Sequence, residues 1–237
     1  MKRMLLLLAF MAPAVVNAEP ASQTVEVNAK QPTSQVAWTP DALNLVKNGN
    51  INKGKELAES CKNCHGDKGQ GKEAVPEDED ASAVPANPAL AGQVANYTYK
   101  QLLDYFNDSR SHVQMTGEAK KLSKQDAADL AVWFSSLPPQ ENKSSSQNLA
   151  RAEKMVEHGD GKRILPPCFV CHGSKGQGEK QDIPALAGQQ ADYFTRTLMA
   201  YKNGQRHNDI YSRMRLIAQQ LSEEEIKELA QYYQQLK

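Results

Sequence analysis

Cys61-Lys62-Asn63-Cys64-His65-Gly66 and Cys168-Phe169-Val170-Cys171-His172-Gly173 are two copies of one pattern, C-x-x-C-H-G. Two cysteines three positions apart put both sulfurs on one side of a helical turn, where each can add to one vinyl group of a single porphyrin. The histidine that follows is carried under the ring, where it can bind the iron. The pattern is that of covalent haem c attachment. It makes Cys61, Cys64, Cys168 and Cys171 the thioether donors, His65 and His172 axial ligands, and the cofactor two haem c groups. All four cysteines lie in these motifs, so none remains for a disulfide. A zinc site would need a second Cys or His pair close by, but the other pair is distant and is itself followed by histidine. A thioredoxin-like dithiol would sit in a βαβ pattern, and neither motif has an alternating apolar run beside it.

Outward from the cysteines the duplication continues. His65-Gly-Asp-Lys-Gly-Gln-Gly71 is answered by His172-Gly-Ser-Lys-Gly-Gln-Gly178, and Pro88-Ala-Leu-Ala-Gly-Gln93 by Pro184-Ala-Leu-Ala-Gly-Gln189. Tyr97, Leu102, Asn107 and Arg110 then keep one constant spacing from Tyr193, Leu198, Asn203 and Arg206. Each copy closes on a helical pattern opened by a capping box, Ser123-x-x-Asp126 and Ser222-x-x-Glu225. Its apolar stripe is Leu130, Ala131, Phe134, Leu137 in one copy and Leu229, Ala230, Tyr233, Leu236 in the other. An earlier helical pattern starts at Asp41 and leads into Cys61, with Gly49 and Gly54 expected to weaken its middle, so that the helix proper starts near Asn52. Before Cys168, Pro166-Pro167 rules out a long helix.

The 237 residues carry no net charge and no basic stripe, which excludes a nucleic-acid binder. Aromatics make up only 6%, a thin supply for two cores that a porphyrin would complete. Residues 1–18 read as a cleaved signal peptide: Lys2 and Arg3, the apolar run Leu5 to Val16, and Val16-Asn17-Ala18 as the cleavage site. That run is shorter than the roughly 20 residues of a membrane span and is broken by Pro13. The mature chain is therefore expected in the periplasm without an integral membrane segment, any membrane association being peripheral. Residues 19–40 read as a flexible leader, 41–138 as the first domain, 139–148 as a linker and 149–237 as the second domain. Between Gly71 and Pro88 the first copy holds an insertion, Lys72 to Asn87, with the acidic run Glu77 to Asp80; it reads as a solvated loop.

The second axial ligand decides the function. Met115 and Met214 alone among the methionines keep register with the repeat: each is followed seven residues later by Leu122 or Leu221, just before the closing helix. They are the expected thioether ligands, whereas Met155 and Met199 fall in apolar helical patterns and read as packing. His112, His158 and His207 match neither each other nor the methionines in offset and remain rival ligands. Two His/Met irons would leave no open site for peroxide or oxygen, and the thioether would raise the reduction potential. Such centres suit electron transfer, not bond breaking, so no catalytic residues are expected.

These motifs together, from about Ile51 to Leu236, resemble the cytochrome c4 family of dihaem class I cytochromes c. The resemblance implies an all-α fold of two tandem class I cytochrome c domains, each wrapped round one covalently bound haem. It implies that the carbonyls of Pro88 and Pro184 accept hydrogen bonds from His65 and His172. It implies a carrier, not an enzyme, passing single electrons from a quinol-oxidising cytochrome bc complex to a terminal oxidase or a periplasmic reductase. The rival readings are a dihaem enzyme, peroxidase-like or thiosulfate-oxidising, with one open haem, and a fixed electron-donor subunit of a larger complex. Charge is uneven: residues 41–141 hold eleven basic against fifteen acidic side chains, and residues 149–237 thirteen against eleven. Such a dipole is expected to orient the molecule on its partners.

Overall fold

The computed structural model describes residues 34–77, 82–140, 149–179 and 181–236. The stretch read as a signal peptide, most of that read as a leader, Asp78 to Asp80 of the acidic run and residues 141–148 of the expected linker lie outside them. The first half contains α1 (Pro40–Lys47), α2 (Ile51–Leu57), a 3-10 turn (Ala58–Cys61), α3 (Lys62–His65), α4 (Ala95–Phe106), α5 (Val113–Ala119) and α6 (Lys124–Ser136). The second contains α7 (Ala150–His158), a 3-10 turn (Gly161–Arg163), α8 (Phe169–His172), α9 (Ala191–Lys202), a 3-10 turn (Ile210–Ser212), α10 (Arg213–Gln220) and α11 (Glu223–Gln235). Among the described residues the fold is all-α, joined only by isolated antiparallel bridges.

The closing helices organise each half. Both capping boxes form: Ser123 Oγ accepts from the Asp126 N–H and Ser222 Oγ from the Glu225 N–H, with each acid reaching back to the cap. Of the stripe expected in α11, Leu229, Ala230 and Tyr233 are no more than 1% exposed, joined by Ile226, while Leu236 is half-buried just past the helix end. α11 packs on α7 and α9, and α6 on α2 and α4. The first core is built largely of alanines, Ala127, Ala128 and Ala131, round Val46 and Tyr99. The second holds Met155, Phe194, Leu198, Ile226 and Tyr233.

The helical pattern from Asp41 to Cys61 is two helices, the second starting at Ile51, next to the Asn52 expected as the start of the helix proper. Asn50 starts the second by accepting from the Lys53 N–H. Gly54, read as a weak point, is the crossing point: a Cβ there would fall on the Asp129 carbonyl of α6. The leader also ends differently from its polar composition. Ser34 donates to Asp104 Oδ1 at 2.6 Å, and the Trp38 ring lies 6.3 Å from that of Tyr99, so this last stretch is docked on the first half. The described part of the acidic insertion is exposed as expected except near Ala86 and Asn87, but it is paired, with bridges at Lys72–Asn87 and Val75–Val84. Its root is held by the second half, where Ala86 N–H donates to Asp192 and Arg196 donates to the Ala86 carbonyl. Before Cys168, α7 stops at Gly159 and the chain turns back through an Asp160–Leu165 bridge, as Pro166-Pro167 requires.

Candidate haem attachment sites

Each C-x-x-C-H motif forms one short helical turn, α3 or α8, ended by a glycine at φ 83° or 81°. The histidine at its last position is buried, His65 at 6% and His172 at 8% exposure. Burial holds both imidazoles below their ordinary pKa, so they are neutral. His65 Nδ1 lies 2.9 Å from the Pro88 carbonyl and His172 Nδ1 3.0 Å from that of Pro184. A carbonyl can only accept, so Nδ1 carries the proton and Nε2 keeps its lone pair. That is the tautomer an iron ligand needs, with its ring orientation fixed from behind.

The strap that supplies each carbonyl is laid on the glycine loop after the histidine. Leu90 and Ala91 N–H both donate to the Gly69 carbonyl, and Leu186 and Ala187 N–H to that of Gly176. Cys61 and Cys168 are half-buried, Cys64 and Cys171 exposed. Burial pushes the Cys61 thiol up and the Cys168 thiol to about 11. This is the reverse of the lowered pKa a redox dithiol requires. Among the described residues no group of three or more His, Cys, Asp or Glu gathers as a metal site.

Charges at the methionine-bearing helices are felt at these turns. Met115 is in α5 and Met214 in α10, both half-buried. Glu118 of α5 adds to burial in raising Cys61, and His112 adds to burial in lowering His65. Arg213, next to Met214, acts likewise on His172. Of the rival histidines, His112 caps α5, its Nδ1 accepting from the Met115 N–H at 3.4 Å. His158 is exposed at the end of α7 beside Glu157. His207 is half-buried, with an unpartnered Nδ1.

Repeat residues with no role assigned from sequence meet between the halves. Arg110 donates to the Tyr193 hydroxyl at 2.9 Å, and Arg206 to that of Tyr97 at 3.1 Å. Each guanidinium also covers a ring of its own half, Tyr105 or Tyr201. Burial alone would raise the Tyr193 phenol; the Arg110 and Arg206 charges outweigh it and bring it down to about 7. Neither arginine has a carboxylate partner among the described residues, and the buried Nη1 of Arg206 has no hydrogen-bond partner. Two facing cations with an orphaned donor fit the carboxylate edge of a porphyrin. The signal was in the sequence: polar residues kept at one spacing in both copies.

Two neutral, carbonyl-backed histidines on cysteine-pair turns, repeated in two helical halves, define a protein of the covalent-haem class. The sequence profile of the cytochrome c family matches residues 51–138 and 159–237. Cytochrome c4 of Thiocapsa roseopersicina is 35% identical over 179 residues, 74% of this chain and 86% of that protein. A thiosulfate dehydrogenase electron acceptor of Thiomonas intermedia is 30% identical over 178 residues, 74% of this chain and 77% of that protein. The crystal structure of reduced recombinant cytochrome c4 from Pseudomonas stutzeri superposes with a TM-score of 0.71 at 31% identity, over 80% of this chain and all of the other. The chain belongs to the cytochrome c family and, within it, to the dihaem cytochromes c4. That membership implies covalently bound haem c, for which Cys61/Cys64 and Cys168/Cys171 are the two attachment pairs. No helix among the described residues is long and apolar enough to cross a membrane.

Proposed function

We propose that the chain is a periplasmic two-centre electron carrier and not an enzyme, with ligand pairs His65/Met115 and His172/Met214. The observation that carries this reading is the buried histidine of each motif, whose Nδ1–H donates to its proline carbonyl and leaves the Nε2 lone pair for a metal, within range of the charges at the helix that bears the matched methionine. When bound, haem c supplies a one-electron Fe(III)/Fe(II) couple. The chain's own part is to hold it. The cysteines would bond the porphyrin, the proline carbonyls orient the imidazoles that would bind its iron, and Arg110 and Arg206 would offer charge to its carboxylates. Met115 and Met214 as the second ligands would close each site to small molecules and favour the reduced state.

In this reading residues 1–18 are removed at export, and electrons pass from a quinol-oxidising cytochrome bc complex to a terminal oxidase or periplasmic reductase. The Thiomonas intermedia relative favours a second source, a thiosulfate dehydrogenase, with this chain as its electron acceptor.

Spectroscopy of the purified ferric holoprotein tests the ligation. The expected result is two haems per chain, both giving the sulfur-to-iron charge-transfer band and both refusing dilute cyanide. Met115→Ala and Met214→Ala should each remove about half of that band and open one centre to cyanide. Rapid cyanide or peroxide binding by the unaltered protein would sink the carrier reading and favour a dihaem enzyme.

A further inference from the structure

Gln93 and Gln189, the last residues of the duplicated Pro-Ala-Leu-Ala-Gly-Gln segment, each reach out of their own half into the other. Gln189 Oε1 accepts from the Ala89 N–H at 2.9 Å, and its Nε2 donates to the Ala89 carbonyl at 3.1 Å. Gln93 Oε1 accepts from the Ala185 N–H at 2.8 Å, and its Nε2 donates to the Ala185 carbonyl at 3.0 Å. Both side chains are buried, at 7% and 8% exposure. Each Oε1 also accepts the next backbone N–H of its own chain segment, Val94 or Gln190, which fixes the amide. These glutamines do not touch a ligand histidine. They touch the peptide that does.

The Ala89 N–H belongs to the same peptide unit as the Pro88 carbonyl, and the Ala185 N–H to the same unit as the Pro184 carbonyl. We infer that each half of the molecule sets the electron affinity of the other's centre through this shared peptide, Gln189 acting on His65 and Gln93 on His172 as positioning residues. An amide whose N–H is engaged by an acceptor has a more negative carbonyl oxygen, because chains of hydrogen bonds polarise one another. A more negative Pro88 oxygen draws harder on the His65 Nδ1 proton and makes Nε2 a stronger donor to the metal. Stronger donation favours the ferric state. Each glutamine therefore lowers the midpoint potential of the opposite centre. The arrangement is reciprocal because the contact is made by the same residues of both copies.

The inference rests on His65 and His172 being ligands, as proposed above. It is tested on the holoprotein with Gln189→Leu, Gln93→Leu and Gln189→Glu. Midpoints come from spectroelectrochemistry, and NMR of the ring methyl resonances assigns them to the two centres. Gln189→Leu should raise the midpoint of the His65 centre and leave that of the His172 centre in place; Gln93→Leu should do the opposite. Gln189→Glu keeps an acceptor for the Ala89 N–H and should give no such rise. Exchange of the Ala89 amide hydrogen should be faster in Gln189→Leu than in the unaltered protein. A shift in the variant's own half, equal shifts in both centres, or no shift would overturn the inference. If Gln189→Leu does not fold, Gln93→Leu carries the same test with the centres exchanged. A missing charge-transfer band in the unaltered protein would sink the functional reading; a band present with uncrossed midpoints would sink only this one.

Discussion

Gly71 and Gly178 take φ of 80° and 75°, and their N–H groups donate to the carbonyls of His65 and His172 at 2.8 Å. A Cβ at Gly71 would lie 2.7 Å from the Ala89 nitrogen, and one at Gly178 2.5 Å from the Ala185 nitrogen. Those nitrogens sit on the straps that receive the histidine protons, so an added methyl group pushes against backbone that cannot swing aside. We expect Gly178→Ala to cost about 2 kcal/mol or more by denaturant unfolding, the left-handed conformation accounting for 1 or 2 of them. The displaced Pro184 carbonyl should also loosen His172, seen as broadening of its centre's NMR lines. The H-G-x-K-G-Q-G spacing and the Pro-Ala-Leu-Ala-Gly-Gln spacing were both legible in the sequence, and the proline carbonyls accept where the family resemblance placed them. What no spacing reveals is that Gln93 and Gln189 cross over. A polar side chain in a loop reads as solvated until the partner that buries it is known.

Helix ends were legible because they are local: Ser123, Asp126, Ser222 and Glu225 satisfy one another within a single turn. Close approach was not. Propensity marks Gly54 as a defect in a helix, whereas its role comes from α6 lying against it. The pairing of Lys72 with Asn87 and of Val75 with Val84 was hidden for a similar reason, since the stretches that carry it have no apolar alternation to betray them. At α11 the cap does a second job. Glu225 accepts from Arg163 Nη1 and Nη2, both at 2.9 Å, and so ties the turn before Cys168 to the closing helix. Arg163 first, then the Ser222 N–H, holds the Glu225 carboxyl below its ordinary value against the opposing effect of burial. The folded pKa is thus below the unfolded one. This contribution is complete above the unfolded glutamate value of about 4.3 and is lost as pH falls through the lower folded value. Glu225→Gln should flatten that part of the stability-against-pH curve, measured by thermal unfolding between neutral and acid pH. Ser222→Ala should cost about 1 kcal/mol at neutral pH.

The contact between the halves is nearly symmetric, Arg110 with Tyr193 answering Arg206 with Tyr97, and Gln93 with Ala185 answering Gln189 with Ala89. Besides the hold of Asp192 and Arg196 on Ala86, a buried ion pair breaks the symmetry. Lys100 and Asp104, 1% and 0% exposed, form an ion pair of 2.6 Å in the first half. From the second half, Asn208 accepts from Lys100 through its carbonyl at 2.6 Å and donates to Asp104 through Nδ2 at 2.7 Å. Ser34 takes the remaining Asp104 oxygen, so the carboxylate is satisfied on every side. Arg196 and Ala200 hold the corresponding positions of the second copy and build no such pair. Removing one member of a buried pair strands the other charge, at a cost of about 3–5 kcal/mol. Here that cost falls on the contact between halves as much as on either core, because the stranded Asp104 and the freed Asn208 carbonyl lie on opposite sides of it. Each half retains its own core and closing helix. We therefore expect the holoprotein to unfold in one calorimetric transition and Lys100→Met to unfold in two, the first half melting earlier. A single transition merely shifted to lower temperature would show that the amide and arginine contacts hold the halves together without this plug.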